Sequence, residues 1–306
     1  MGNQTVRKKN KRERREFWTG ILFILPGLLG FLVFILIPVI ISVILSFCKW
    51  DFLQGLSAIR FHGLANYSKL FTDVWFLESY RNNIMFTLIT VPALTVLGLV
   101  TAEILNRYIL GKAPVRVMFF IPYIASVVAV CAVWQVLFHP SFGPINSFLH
   151  SIGMQNPPKW LADLKWSLPS VMIIYIWQNV GYYAVVFLAG LKGISKELYE
   201  AAAIDGAGPV RQFFSVTVPL IRPTTFFLVT MGIIGSFKVF DHISVLTQGG
   251  PGSSSSVMAY YVYRKAFEEY DMGYANALAW ALFVLIFAVT LIQFRLQKSF
   301  DGQVKA

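Results

Sequence analysis

Five polar and aromatic side chains lie close together within an otherwise apolar segment of the sequence. They are Trp177, Gln178, Asn179, Tyr182 and Tyr183, and they fall within about two turns of a helix. Binding a sugar requires hydrogen-bonding groups for its hydroxyls and flat apolar surfaces for the faces of its pyranose rings. Tyr and Trp supply an apolar body together with a polar tip. The cluster therefore predicts a contact surface for a carbohydrate, formed by Trp177, Asn179 and Tyr182.

Two serines in other apolar segments add hydroxyl groups at a similar depth. At a rise of about 1.5 Å per residue, Ser126 and Ser236 lie about as far into their segments as Asn179 does. Transport sites tend to form near the middle of a bilayer, where polar side chains face a cavity. Polar residues in membrane helices also form hydrogen bonds between helices, so both roles stay open for each of the three residues.

Lys238 and Asp241 are charged residues at the far end of the segment that contains Ser236. Their i,i+3 spacing allows them to form an ion pair on one face of a helix. Charged residues beside a transport cavity could instead select a charged solute or act as a gate. The sequence leaves both interpretations open.

Long apolar segments must position these residues. Of the 306 residues, 56% are hydrophobic and only 13% are charged, which is too little charge to cover a soluble domain of this length. Six segments each hold roughly the 20 residues needed to cross a bilayer, so the sequence predicts an all-α membrane protein with six transmembrane helices. These segments are 17–47, 83–105, 115–137, 168–191, 224–245 and 275–296.

The distribution of charge predicts which side of the membrane each loop faces. The chain carries 26 Lys and Arg against 15 Asp and Glu, and most of the basic residues fall in the tails and in the loops on the side of the N-terminus. Cytoplasmic loops of membrane proteins are enriched in Lys and Arg. We therefore expect a basic cytoplasmic tail at 1–16, a first transmembrane helix at 17–47, an external loop at 48–82, a five-helix core at 83–296 and a cytoplasmic tail at 297–306.

Several other classes of protein fit the composition poorly. The net charge of +11 could suggest nucleic acid, but its placement in tails and loops points to anionic membrane lipid instead. The apolar stretch at 17–47 is too long for the core of a signal peptide and lacks a convincing cleavage site, so we expect it to be retained. Cys48 and Cys131 are expected to pack as free thiols, with neither a disulfide framework nor a metal site.

The polar stretch at 192–223 separates the fourth and fifth apolar segments. Ser195 can cap a helix, which residues 196–204 then continue in good helix formers. Gly206 and Gly208 supply a flexible stop after it. The result is a short helix with three consecutive alanines, which could lie at the membrane interface or press closely against another protein.

A longer motif runs through this helix and the bend after it. Residues 200–208 read EAAAIDGAG, and Pro219-Leu220 follows. This pattern resembles the cytoplasmic coupling motif of ABC importer permeases, and the resemblance implies a type I importer architecture with both termini cytoplasmic. It assigns contacts with a separate ATP-hydrolysing subunit to Glu200, Ala201, Ala202, Asp205, Gly206 and Gly208. ATP and Mg would be bound by that partner, and this chain would need no cofactor of its own.

Further motifs are similar to those of sugar-type permeases in the same family. They are GLANYSKLF at 63–71, SFGPIN at 141–146, and LTQGGP at 246–251 followed by YVYRKAF at 261–267. They fall in the expected order and extend the resemblance from about Gly63 to the C-terminus. The resemblance implies a carbohydrate substrate, an extracytoplasmic solute-binding protein that delivers it, and a second permease, as a heterodimer, in the bacterial cytoplasmic membrane.

The maltose permeases of that family match individual residues of this chain. Their sugar-contacting Tyr falls on Tyr123, their span-four contacts fall on Asn179 and Tyr182, and their polar span-five position falls on Ser236. This chain has Asn179 where that family member has Gly, which implies a different ligand. A di- or oligosaccharide is expected, and a ligand of the glycerol-phosphate type stays open.

Two other function classes fit the sequence less well. An intramembrane enzyme would need a metal cluster or a Ser/His pair within the spans, whereas the four histidines lie in loops or at boundaries without that spacing. An ion-coupled carrier would place ionisable residues in the middle of its spans, whereas Glu103, Lys238 and Asp241 lie near the ends. The chain also lacks a phosphate-binding GxxxxGK[ST] loop, so ATP hydrolysis would require a partner.

Overall fold

The computed structural model describes residues 11–107 and 112–303, so the parts of the predicted tails at 1–10 and 304–306 lie outside the described residues. The described chain is mostly helical, with one short antiparallel strand pair. The helices are α1 (Lys11–Phe31), α2 (Ile37–Ser46), α3 (Ala65–Leu70), α4 (Val74–Arg107), α5 (Lys112–Ile124), α6 (Val127–Leu137), α7 (Pro144–Ser151), α8 (Ser167–Leu191), α9 (Lys196–Ile204), α10 (Pro209–Gln212), α11 (Val218–Leu220), α12 (Arg222–Phe237), α13 (Asp241–Leu246), α14 (Met258–Tyr263) and α15 (Met272–Gln303). The strands are β1 (Cys48–Lys49) and β2 (Arg60–Phe61), and short π-helical turns occupy Leu32–Leu36, Phe213–Thr217 and Arg264–Glu268.

Four helical runs of the described chain are long and apolar enough to cross a membrane. Up to six crossings result if each of two bent pairs counts as one: Pro114–Ile124 with Val127–Leu137, and Pro209–Leu220 with Arg222–Phe237, which meet at 67°. The first run is continuous from Arg15 to Ser46. It passes through Pro26 and Pro38 without ending at either. A π-helical turn lies directly before Ile37 and Pro38, where proline has no backbone N–H to donate.

Three helices extend beyond the predicted bounds of their apolar segments, and where the membrane begins and ends along them stays a prediction. α4 begins at Val74, inside the predicted loop 48–82, because the carboxylate of Asp73 accepts hydrogen bonds from two backbone N–H groups of its first turn, at 3.0 and 3.3 Å. α15 continues through most of the tail predicted at 297–306, and α1 begins within the tail predicted at 1–16. Polar and charged residues extend these helices beyond their apolar segments.

Two predicted spans are broken rather than continuous. The single helix expected at 115–137 is wrong, because α5 and α6 meet at 94°, and the extended backbone of Ser126 (φ −54°, ψ 127°) separates them. The helix expected at 224–245 is also wrong, because it ends at Phe237 and the chain resumes as α13 at Asp241. At 16 residues, or about 24 Å, α12 alone is too short to cross a bilayer.

Glycines at the crossing points allow α4, α5, α8 and α12 to pack closely. A Cβ on Gly181 of α8 would lie 1.8 Å from the carbonyl oxygen of Phe119 in α5. A Cβ on Gly98 of α4 would lie 2.5 Å from the Cβ of Tyr183, and one on Gly232 of α12 would lie 2.2 Å from the Tyr183 hydroxyl. Small residues let membrane helices approach to van der Waals contact. The four helices therefore form a tightly packed core with α8 at its centre.

The carboxylate of Asp73 joins α4, α14 and α15 at one end of the bundle, which we call the Asp73 end. Its Oδ2 accepts hydrogen bonds from the hydroxyls of Tyr261 and Tyr274, each at 2.6 Å. Burial by itself raises the pKa of the Asp73 carboxyl, but these hydrogen bonds outweigh burial and hold that pKa below its usual value. One ionised carboxylate therefore connects three helices.

Side-chain amides hold the loop at 247–257 against the same end. Asn83 of α4 donates to the carbonyl oxygen of Ser236 at 3.1 Å and accepts from the backbone N–H of Met258 at 3.0 Å. Asn82 donates to two carbonyl oxygens of the loop, at 2.9 and 3.0 Å. Because the contacts are to backbone atoms, the path of the loop is fixed relative to α4.

The close approach at Gly181 predicts that Gly181→Ala destabilises the protein. The added methyl group requires α5 and α8 to separate, and overpacking of this kind costs about 1–3 kcal/mol. The midpoint of thermal unfolding in detergent, followed by fluorescence-detected size exclusion, should therefore fall. Gly27→Ala in α1 is the matched control, because a Cβ there meets nothing within 4 Å. Equal midpoints for the two variants would contradict the close approach.

The hydrogen bonds to Asp73 predict a pH-dependent effect of Asp73→Asn. The amide nitrogen of Asn cannot accept from a tyrosine hydroxyl, and losing a hydrogen bond to a charged group costs about 2 kcal/mol. Because the folded pKa lies below the unfolded one, the carboxylate's stabilisation is complete above the unfolded pKa and is lost as pH falls through the folded pKa. The thermal midpoints of wild type and variant should differ most near neutral pH and converge below about pH 4. A constant difference at all pH values would argue against this role.

Candidate functional site

Aromatic side chains line the place where α8 crosses the break between α5 and α6. Tyr182 of α8 stacks on Tyr123 of α5 with ring centres 4.7 Å apart, and Trp177 of α8 packs edge-on against Trp134 of α6 at 5.4 Å. We call these four residues the aromatic wall. The two pairs lie on opposite sides of the break. The sequence predicts three of the four as contacts and misses Trp134, because only the break brings it beside α8.

The aromatic wall is open on one side. Tyr123 and Trp177 are 40% and 44% exposed, and Ser126, at the break, is exposed as well. Asn179 is half-buried, and its Nδ2 donates to the carbonyl oxygen of Tyr175 one turn earlier, at 2.8 Å. Polar side chains within membrane spans usually face protein or a water-filled cavity rather than lipid. The open side is therefore a candidate surface for a polar solute or a second subunit.

Ser236 lies away from this open side. It is fully buried, its hydroxyl lies 2.8 Å from that of Thr87 in α4, and it donates to the carbonyl oxygen of Ile233 at 2.9 Å. These contacts are the interhelical hydrogen bonds that the sequence allows as an alternative role. A contact between Ser236 and the solute stays a prediction. The same holds for the solute contacts predicted for Tyr123, Ser126, Trp177, Asn179 and Tyr182.

Gln178 faces the protein interior, although its neighbours in sequence are Trp177 and Asn179. It is 3% exposed, and its Oε1 lies 2.8 Å from Nε2 of His242. His242, which the sequence places in a loop or at a boundary, lies in the first turn of α13. It is only 6% exposed and packs edge-on against Tyr175 at 5.2 Å. The break after α12 turns α13 back onto α8 and so buries this histidine.

Lys238 and Asp241 flank the break between α12 and α13, and both are exposed. Among the ion pairs of the described residues, none joins these two side chains, so the pairing that their spacing allows is not formed. Lys238 instead caps the C-terminus of α12, where a positive charge is favourable. Roles for the two residues in gating or solute selection stay predictions.

The polar stretch between α8 and α12 begins as the sequence predicts. α9 spans Lys196–Ile204, and the Oγ of Ser195 accepts a hydrogen bond from the backbone N–H of Glu197 at 3.3 Å. Gly206 follows with φ +77°, a left-handed conformation that favours glycine. The chain then turns into α10, with Pro209 in its first turn, where the missing N–H is not needed.

Two hydrogen bonds tie α9 and its following bend to the segment that leads into α12. The hydroxyl of Tyr199 lies 3.0 Å from Oγ1 of Thr217. The Nε2 of Gln212 donates to the carbonyl oxygen of Ala207 at 2.9 Å. One face of α9 is therefore held against the protein, and Ala202 lies half-buried on that side.

The other face of α9 is exposed. It carries Glu200 and Ala201, together with Ile204, which is 87% exposed. Asp205, Gly206 and Gly208 are exposed beyond it. A large exposed apolar side chain beside small ones suits a protein interface. The sequence prediction misses Ile204, although its spacing of three and four residues places it on the face of Ala201 and Glu200.

A cavity of about 400 Å³ opens at the Asp73 end, between the start of α4, the start of α8 and the loop at 252–254. Glu78, Arg81 and Lys165 contribute charged groups to its lining. The hydroxyls of Ser167 and Ser254, 2.8 Å apart, join two of its walls. The cavity thus combines a charged opening with hydrogen-bonded walls.

Comparison with known proteins agrees with this architecture. Residues 74–306 match the family described as "Binding-protein-dependent transport system inner membrane component". The chain is 32% identical over 282 residues to the sulfoquinovosyl glycerol transport system permease protein SmoG of Agrobacterium fabrum, which covers 92% of this chain and 91% of SmoG. It is 32% identical over 286 residues to the sn-glycerol-3-phosphate transport system permease protein UgpA of Yersinia enterocolitica, with 91% and 93% covered.

A solved structure shares the fold. The match is to a chain in the crystal structure of the bacterial alginate ABC transporter in complex with alginate pentasaccharide-bound periplasmic protein. The TM-score is 0.83 at 22% identity, over 96% of this chain and 98% of that chain. With long apolar helices, two bent pairs and a short polar helix between α8 and α12, this chain belongs to the binding-protein-dependent transport system inner membrane components, the permeases of ABC importers.

Proposed function

We propose that this chain is the permease subunit of an ATP-driven, binding-protein-dependent importer that carries a di- or oligosaccharide across the bacterial cytoplasmic membrane. The aromatic wall, with exposed Ser126 and half-buried Asn179 beside it, is the observation that carries the proposal. Exposed aromatic rings present flat faces to pyranose rings, while hydroxyl and amide groups bond to sugar hydroxyls. The names of two compared proteins, which specify sulfoquinovosyl glycerol and the polysaccharide alginate, support a carbohydrate.

Six crossings are proposed, with each bent pair counted as one span and both termini in the cytoplasm. Successive spans alternate in direction, so the start of α1 and the end of α15 lie at the end of the bundle opposite the Asp73 end. The enrichment of Lys and Arg in the tails and around α9 favours the cytoplasm for that end. The Asp73 end then faces the outside, and α9 faces the cytoplasm.

The exposed face of α9 is proposed to dock into a groove on a separate ATP-binding subunit. Ala201 lets another protein approach the helix closely, and Ile204 can serve as the buried apolar anchor of such an interface. That subunit would bind ATP and Mg and hydrolyse ATP. The sequence of this chain has no phosphate-binding loop for that reaction.

Two further partners are proposed. A second, related permease would complete the pore on the open side of the aromatic wall, because polar surface there is poorly matched to lipid. An extracytoplasmic solute-binding protein would dock at the Asp73 end, where Glu78, Arg81 and Lys165 line the cavity. Complementary charges at such a surface would speed association and select the partner.

Transport is proposed to follow from a difference in ATP affinity between two conformations. A ligand shifts a conformational equilibrium only by the difference in its affinity for the two states. Closure of the ATP-binding subunits would displace α9, which contacts the approach to α12 through Tyr199 and Thr217. The spans would then turn the aromatic wall from the outside towards the cytoplasm.

Substitutions on the exposed face of α9 test the proposed docking. Glu200→Lys and Ile204→Asp should each reduce the ATPase subunit that co-purifies from solubilised native membranes by about fivefold or more, because central interface residues contribute about 1 kcal/mol or more. The second permease should still co-purify. Glu78→Lys makes the same charge change at the Asp73 end and should retain both partners. Full recovery of the ATPase with both α9 variants would exclude docking on this face.

Uptake into proteoliposomes that contain the assembled transporter and its solute-binding protein separates the function classes. Labelled di- or oligosaccharides should enter only when ATP is supplied, and an ionophore should leave uptake unchanged. Tyr182→Ala should raise the KM for the transported sugar roughly fivefold, because an aromatic contact is worth about 1 kcal/mol, whereas Tyr182→Phe should largely preserve it. If glycerol 3-phosphate were the only solute taken up, it would replace the carbohydrate as the proposed substrate. If the ionophore abolished uptake, the result would indicate an ion-coupled carrier.

A further inference from the structure

Gln178 and His242 form a polar pair that is almost completely enclosed. Gln178 is 3% exposed and His242 is 6% exposed. Tyr175, which packs against His242, also packs against the apolar core that includes Phe86, Ile174 and Ile243. A buried polar group without a hydrogen-bond partner destabilises the folded protein. The 2.8 Å contact between Oε1 of Gln178 and Nε2 of His242 therefore satisfies two groups that would otherwise be costly to bury.

Gln178 also reaches the break in the preceding span. Its Nε2 donates to the carbonyl oxygen of Ala125 at 3.4 Å, directly before the extended backbone of Ser126. Because the amide nitrogen donates there, Oε1 is left as the acceptor, and His242 donates to it from Nε2. One side chain on the continuous helix α8 thus contacts the segments at both breaks.

The two ring pairs of the aromatic wall lie on either side of the break that Gln178 contacts. Trp177 packs against α6 beyond the break, and Tyr182 packs against α5 before it. Tyr175, one turn before Gln178, packs against His242 and accepts a hydrogen bond from Asn179. A change in the angle between α5 and α6 would therefore move the two ring pairs relative to each other.

We propose that Gln178 and His242 are positioning residues for solute binding, a role that rests on the proposed function. They hold the break at Ser126 and the helix α13 against α8, and so set the geometry of the aromatic wall. Neither needs to touch the solute. They affect solute affinity through the spacing of the exposed rings. A shift of about 1 Å in the position of a ring is enough to weaken its contact with a bound solute.

Gln178→Met tests this role, because Met has a similar volume and cannot form either hydrogen bond. Gln293→Met is the matched control. Gln293 also forms a hydrogen bond between helices, from its Nε2 to Oγ1 of Thr230 at 2.8 Å, but it lies in α15, away from the breaks. Gln178→Met should raise the KM for solute uptake about tenfold, measured well below its thermal midpoint, which should itself fall because His242 loses its hydrogen-bond partner. Gln293→Met should leave the KM unchanged. The exchanged pair, Gln178→His with His242→Gln, should restore part of the affinity.

A distance measurement that needs no solute keeps this test separate from the proposed function. Nitroxide labels at Val117→Cys in α5 and Val136→Cys in α6, each 56% exposed, report the angle across the break by double electron–electron resonance. Native Cys48 and Cys131 would be replaced by Ala. Gln178→Met should broaden the distance distribution in the assembled transporter, whereas Gln293→Met should not. If Gln178→Met and Gln293→Met gave identical distance distributions and identical KM values, the positioning role would be overturned. If the wild type showed no ATP-dependent uptake, that result would count against the proposed function alone.

Discussion

The hydrocarbon core of a membrane offers no hydrogen-bond partners, so each interruption of a spanning helix must be covered by protein or line a water-filled cavity. This chain has such an interruption at Ser126 and another between α12 and α13. Both are packed against α8, which is continuous and half-buried along its length. The glycine contacts that bring α5 and α12 close to α8 are what make this cover possible. The remaining features of the site depend on that arrangement.

The two ends of the bundle are fastened by different means. At the Asp73 end, one ionised carboxylate and two asparagine amides connect α4 with α14, with α15 and with the loop at 247–257. At the other end, α9 presents an exposed face and is tied to its neighbours through Tyr199 and Gln212. None of the residues of α9 is buried, and an element with few buried contacts moves at lower cost in free energy. The α9 end is therefore the better suited to a partner-driven displacement.

Local signals predicted the features whose causes are local. Ser195 and Gly206 determine the start and the stop of α9 through their own backbone and side-chain chemistry, and both were predicted. The break at Ser126 was not, because the flanking residues are as apolar as those of an unbroken span. Nor was the burial of His242, which follows from how α13 folds back onto α8. The sequence motifs were enough to predict the permease family. The shape of the candidate site could be described only from the tertiary contacts of the structure.

Depth in the membrane and role in the site are separate properties. Ser126 and Ser236 lie at similar depth by sequence, yet one is exposed at a break and the other is bonded to Thr87 within the core. Gln178 and Asn179 are neighbours, yet one faces the breaks and the other lies beside the aromatic wall. The exposed residues Tyr123, Ser126 and Trp177 all lie on the open side of the aromatic wall. A solute held there would therefore contact this chain on one side only. The proposed second permease would supply the opposite side, so the solute specificity of the pore would belong to both chains.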